Sequence, residues 1–147
     1  MPQIFNNPKD LCAATMAALG SRVVLALPLG LGKANDIANA IFAHAAADKT
    51  IDLKIFTALT LEKPRYSNEL EKRFLAPVIE RLFGGYPELA YAQALRAGKL
   101  PPNIEVNDFF FLAGCWLNNP VAQQNYISAN YTHALNYILD RNLSVVA

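Results

Sequence analysis

"RVVLALPLGLGKANDIANAIFAHAAADKTIDLKIFTALTL", residues 22–61, decides how this chain is organised. It opens on a continuous apolar run, 22–29, bounded by Gly20-Ser21 and by Gly30. Such a run predicts a strand buried on both faces of a parallel sheet, with Pro28 at its end, where no ladder hydrogen bond is needed. Beyond the glycines, Ile37, Ala40, Ile41 and Ala45 fall on one stripe over 35–47. That spacing predicts a helix, with Asn35 or Asp36 as its N-cap or first-turn acid. Residues 50–61 alternate Ile51, Leu53 and Ile55 with Asp52 and Lys54 before turning apolar, which predicts the next strand. Strand, glycine turn, helix and strand form one βαβ unit.

Working outward, Leu11, Thr15, Met16 and Leu19 predict a short amphipathic helix over 7–19, stopped by Gly20. Over 67–85, Leu70, Phe74, Val78 and Leu82 recur at four-residue steps, a helical stripe that Pro77 would kink or divide. Residues 87–98 read as another short helix, with Pro87 in its first turn and Gly98 past its end. Pro101-Pro102 exclude helix before an extended segment from Ile104 to Phe110. One or two helices are expected in 119–142 and a final strand from Leu143, which resembles an element cut short at Ala147. Alternating strands and helices predict a three-layer α/β fold in one domain, its mainly parallel sheet carrying helices on both faces.

The 147 residues suffice to bury a real core. Lys plus Arg number 13 against 12 Asp plus Glu, so the net charge asks for neither nucleic acid nor an anionic membrane. At 53% hydrophobic and 17% charged, the composition implies that part of the surface is meant to be covered. Cys12 and Cys115 lie in apolar surroundings without a CxxC pair, which predicts buried, reduced thiols and a cytoplasmic protein. "MPQIFNNPKD" lacks the basic and apolar regions of a secretory leader, and no apolar run is long enough to cross a bilayer.

The turn around Gly30, Gly32 and Lys33 narrows the chemistry. A phosphate-binding G-x-x-x-x-G-K-[ST] loop fails at both ends, with Leu27 first and Ala34 last. A dinucleotide G-x-G-x-x-G fingerprint fails at its third glycine, where Asn35 stands. What remains is a βα turn that lets a ligand approach backbone amides at a helix start, with Lys33 adding positive charge, or else a tight corner with Lys33 in solvent.

"LPLGLGKANDIANAIF", "TALTLEKP", "LEKRFLAPVIERLFGGYPELAY", "LPPNIEVNDFFFLAG" and "AQQNYISANYTHAL", taken together and in this order, resemble the amino-terminal part of the acetyl-CoA hydrolase/CoA-transferase family. The family includes relatives of the acetate and 4-hydroxybutyrate CoA-transferases. The resemblance runs from Gly20 onward and implies a NagB/RpiA/CoA-transferase-like fold with two related α/β halves. It further implies an acyl-CoA and a carboxylate or water as substrates, and no covalently bound cofactor. A glutamate of the second half, outside this chain, would carry the CoA as a thioester. This chain would then hold no catalytic residue and would be inactive alone. It would form one wall of the cleft against the missing carboxy-terminal half, in a protein for which a homodimer is open. Gly30, Gly32, Lys33 and Asn35 match the family's turn at the cleft, with Ala34 replacing its commoner proline. Tyr131 and His133 in "NYTH" carry over as cleft-lining residues.

Other readings stay beside this one. A stand-alone module for a nucleotide or phosphorylated metabolite would use the same turn, and a purely structural domain would dock its apolar face on another chain. His133 has no carboxylate placed by sequence to orient it, which favours a hydrogen-bonded structural histidine over a general base. His44 lies on a predicted helix face and is no catalytic candidate. Glu62, Glu69, Glu71 and Glu80 have Lys63, Lys72, Arg73 and Arg81 nearby and read as solvated surface pairs. The two histidines are far apart and assemble no metal site. Phe109, Phe110, Phe111 and Trp116 read as core, since no basic residues interleave them for nucleic acid.

Overall fold

The computed structural model describes residues 2–147. In chain order the elements are α1 (Pro8–Leu19), β1 (Arg22–Ala26), a 3-10 turn (Gly30–Gly32), α2 (Asn35–Ala47) and β2 (Asp52–Thr57). There follow α3 (Glu69–Phe83), α4 (Ala90–Arg96), β3 (Ile104–Asp108), α5 (Pro120–Gln124), α6 (Tyr131–Asp140) and β4 (Val145–Val146). The four strands form one sheet in the order β3-β2-β1-β4, and every pairing is parallel. The α/β class with a parallel sheet is therefore as the sequence pattern predicts.

Side-chain alternation explains how the layers form. Val23, Leu25, Leu53, Ile55, Ile104 and Val106 point to one face and are buried against Cys12 and Met16 of α1, Ala38, Ile41 and Ala45 of α2, and Tyr91 and Leu95 of α4. Phe56 points the other way and packs with Phe109 and with Ala134, Tyr137 and Ile138 of α6. Helices thus lie on both faces. The second face is covered only toward the carboxyl ends of the strands: Arg22 is exposed, Val24 is half-buried, and Lys54 and Glu105 form a half-exposed ion pair at 3.7 Å. The reading of β1 as buried on both faces along its length is corrected accordingly.

The strands are also shorter than the apolar runs that encode them. β1 stops at Ala26, two residues before Pro28, because Leu27 to Lys33 peel away to build the turn. The start of α2 differs from expectation too. Ala34 occupies the N-cap position, no side chain caps the helix, and Asn35 and Asp36 are its first two residues. α4 begins at Ala90, leaving Pro87 ahead of the helix.

The largest correction concerns α3. Pro77 neither ends nor divides it, and no residue of the helix is buried. Its start is fixed by capping: the Asn68 side chain accepts from the Glu71 amide, and the Glu71 carboxylate accepts from the Ser67 amide and hydroxyl. Leu75, Ala76, Ile79 and Phe83 are half-buried, while the stripe Leu70, Phe74, Val78 and Leu82 faces solvent. That stripe, with Tyr131, Leu135 and Leu139 on α6, is the apolar surplus foreshadowed by the composition.

Burial predicts the stability contrast. Leu53→Ala in the fully buried centre of β2 is expected to cost about 3 kcal/mol in denaturant unfolding. Leu70→Ala on the solvent side of α3, 79% exposed, is expected to change stability by less than about 0.5 kcal/mol.

Candidate functional site

In an open parallel sheet the place for a ligand is the crevice beyond the carboxyl ends of the strands, where the order reverses direction. Here the chain runs outward from β1 to β2 to β3 and then returns to place β4 on the other side of β1. The crossover helix α2 packs on one face and α6 on the other. The reversal therefore lies between β1 and β4, and the glycine turn leaves β1 at that point.

Within the turn Gly30 has φ of +51°, a left-handed conformation that only glycine adopts without strain. Gly32 is exposed, its amide donating to the Leu29 carbonyl. Both glycines shape the bend. The groove beside it, about 480 Å³, is walled by Leu31, Lys33, Ala34, Asn35, Asp36 and Ile37 from the turn and α2, by Phe5 and Leu11 from the amino-terminal segment, and by Tyr86 and Pro87. Asn35 is buried, its Nδ2 donating to the Pro87 carbonyl at 2.6 Å, while its Oδ1 has no partner among the described residues. Asp36 is exposed at the rim.

Lys33 overturns an expectation. Its side chain is 7% exposed, and its Nζ donates to the carbonyls of Pro28, Ala58 and Leu59, the Ala58 bond at 2.6 Å. Burial pushes the ammonium down to about 8, with the Asp108 charge opposing that shift. Three carbonyl acceptors hold the ammonium turned into the protein. Lys33 is not a solvated lysine; its ammonium ties the loop after β1 to the loop after β2.

Sequence reasoning missed the group that accompanies it. Asp108, at the carboxyl end of β3, accepts from the Phe110 amide through Oδ1 and from the Thr60 hydroxyl through Oδ2 at 3.2 Å. The Thr60 Oγ1 is 3.1 Å from the Tyr91 hydroxyl. Burial pushes the Asp108 carboxyl up to about 6 against the pull of those hydrogen bonds and of Lys33, and burial likewise raises the Tyr91 phenol. The signal was a lone acid entering "NDFFF", which reads as the start of an aromatic core unless the carboxylate is given a partner. Neither Asp108 nor Tyr91 lines the groove, so together they brace the strand ends.

The remaining candidates separate from the groove. Tyr131 and His133 lie on α6, on the other face of the sheet. The Tyr131 ring packs edge-on against Phe109 and tilted against Phe110. His133 is exposed, and its ring makes no hydrogen bond among the described residues, which corrects the reading of a hydrogen-bonded structural histidine. Glu62 is not a solvated partner of Lys63. It receives a bidentate pair from Arg96, whose guanidinium lies 4.2 Å from the Trp116 ring centre, and a further bond from Arg65. Lys72 pairs with Glu69 at the surface as expected. Cys12 is buried but Cys115 only half-buried; both are free thiols that burial pushes upward. Among the described residues no three His, Cys, Asp or Glu side chains are placed to hold a metal ion, and no helix is long and apolar enough to cross a membrane.

Comparison with protein-family models, with curated proteins and with solved structures yields no match.

Two measurements check the polar brace. Lys33→Met strands three carbonyls beyond the strand ends and is expected to cost about 2 kcal/mol in urea unfolding. Asp108 binds its proton more tightly in the folded chain than at its ordinary 3.8, so its contribution is full below that pH and is lost as pH rises through about 6. Stability should fall across that window in the wild type. Asp108→Asn, which keeps an acceptor for the Phe110 amide, should flatten the slope.

Proposed function

We propose that this chain is the amino-terminal α/β portion of an acyl-CoA hydrolase/CoA-transferase, lining one wall of the cleft in which CoA moves between an acyl thioester and a carboxylate or water. The CoA-transferase-like fold and the glutamyl-CoA step through a glutamate outside this chain are part of that proposal. The observation that carries it is the position of the family-like turn at the sheet's reversal point, beside an open groove. The charges of the groove favour a neutral ligand part over a phosphate. The Lys33 ammonium is held by carbonyls beneath the turn, and Asp36 places a carboxylate at the rim. Leu31, Leu11, Phe5 and Ile37 make the wall largely apolar. An acyl-pantetheine arm meets those demands.

A second reading, a stand-alone module for a nucleotide or phosphorylated metabolite, has one observation in its favour. The 13-residue α2 begins uncapped at the groove, and free helix-start amides attract anions. Calorimetry on the chain separates the two. Pantetheine and CoA are expected to bind with similar affinity, and adenosine 3′,5′-bisphosphate not to bind. Ala34→Trp, which fills the groove from an exposed position, should weaken pantetheine at least about tenfold without moving the thermal midpoint. Binding of the bisphosphate without pantetheine would transfer the site to the second reading, and binding of neither would leave the turn a corner.

A further inference from the structure

From the cavity between α1 and α2 we infer that the groove continues into a slot for the acyl chain of its ligand, so that the substrates are medium-chain acyl thioesters. The inference rests on the reading of the groove as an acyl-pantetheine site. The slot, about 510 Å³, has Cys12 and Ala13 of α1 on one side and Ala40 and Ala43 of α2 on the other. The two helices join in the core through Cys12, Met16, Ile41 and Ala45. On their outer side no facing side chain is long enough to fill the space between them: Ala13 and Ala43 stand exposed and Ala40 half-buried. The two ends of the slot differ. Pro8 and Asp36 border both the slot and the groove, so one opens into the other. At the far end Ala13 and His44 lead to a region where Ser21, Asp48 and Thr50 make the walls polar.

Size and chemistry choose the occupant. From Asp36 to His44 the slot follows α2 for about 12 Å, at 1.5 Å of rise per residue. A cavity of about 510 Å³ over that length is about 7 Å across, too narrow for a second helix, which is 10–12 Å wide with its side chains. It is wide enough for one extended chain of methylenes. At bonds of about 1.5 Å in a zigzag, that length takes about eight to ten carbons. The middle of the slot is lined by alanines and the buried Cys12, whose thiol is a weak donor, while Lys9, Asp36 and His44 are exposed at the rim. A polar group placed there finds no partner, whereas each methylene leaves water. A neutral arm in the groove with an apolar chain in the slot is the shape of an acyl-pantetheine whose acyl group is longer than acetyl.

Calorimetry with S-alkyl pantetheines, which are thioethers and do not hydrolyse, tests this. Relative to pantetheine, affinity is expected to rise about two- to fourfold with each added methylene and to level off by about ten carbons. S-octylpantetheine should shift the methyl resonances of Ala13, Ala40 and Ala43, which pantetheine alone should leave in place. Ala43→Phe fills the slot from an exposed position. It should keep the wild-type thermal midpoint and pantetheine affinity while lowering S-octylpantetheine affinity at least about tenfold. The alcohol n-octanol carries the chain without the arm, and it should shift the same three methyls in the wild type but not in Ala43→Phe. Pantetheine binding to which the octyl chain adds nothing, or adds as much in Ala43→Phe as in the wild type, would overturn the inference and leave the groove reading standing. Octanol shifts that Ala43→Phe abolishes, in a chain that does not bind pantetheine, would sink the groove reading and keep the slot as an alkyl-chain site.

Discussion

The Lys33 ammonium holds the carboxyl edge of the sheet together. Beyond Ala26 and Thr57 the strands β1 and β2 no longer share ladder bonds along their whole width, and their loops must diverge to make room for the turn. Lys33 reaches under both loops and binds the carbonyls of Pro28, Ala58 and Leu59. A buried charge of this kind is costly unless acceptors surround it, and here they do. The Asp108 carboxyl stands close enough to oppose the loss of that charge while itself tied to the Thr60 hydroxyl and the Phe110 amide. The bend at Gly30–Gly32 is thus fixed from beneath by polar contacts, which leaves its outer side open to the groove.

Coverage of the sheet explains where the rest of the apolar residues go. One face is sealed by α1, α2 and α4, and the core there is continuous. The other has α6 alone, so it is apolar only around Phe56 and Phe109 and charged around Lys54 and Glu105. Two helices consequently carry more apolar side chains than the sheet can receive. α3 and α6 both turn leucines to solvent, and the hydrophobic share of the composition is met at the surface instead of in a third full layer.

Much of this was legible in the chain. The βαβ unit over 22–61 announced itself because a short apolar run, a pair of glycines and a 3.6-residue stripe each permit few alternatives. The location of the turn at a strand end followed from the same pattern. Periodicity could not say which side of an amphipathic helix meets the core, and α3 shows why: a stripe at four-residue steps looks the same whether it faces its own sheet or another molecule. The fate of Lys33 was equally hidden, since its three acceptors are backbone carbonyls, two of them contributed by residues 25 and 26 positions further along. Asp108 and Tyr91 meet through Thr60 across long sequence separations, so no local motif marks them.

The segment between β2 and α3 ties these features to one another. It starts at the carbonyls of Ala58 and Leu59 held by Lys33, and Leu59 itself takes a φ of +46°, costly for a leucine and maintained by the bonds on either side. Thr60 then meets Asp108, the Leu61 carbonyl accepts from the Tyr86 hydroxyl, and Glu62 is clamped by Arg96 stacked on Trp116. The segment ends at Ser67 and Asn68, whose exchange of hydrogen bonds with Glu71 starts the helix. A helix that buries no residue is normally free to drift, because tertiary packing is what holds most helices in place. α3 is placed instead by its strapped approach, which positions the outward ridge relative to the sheet without requiring that ridge for folding.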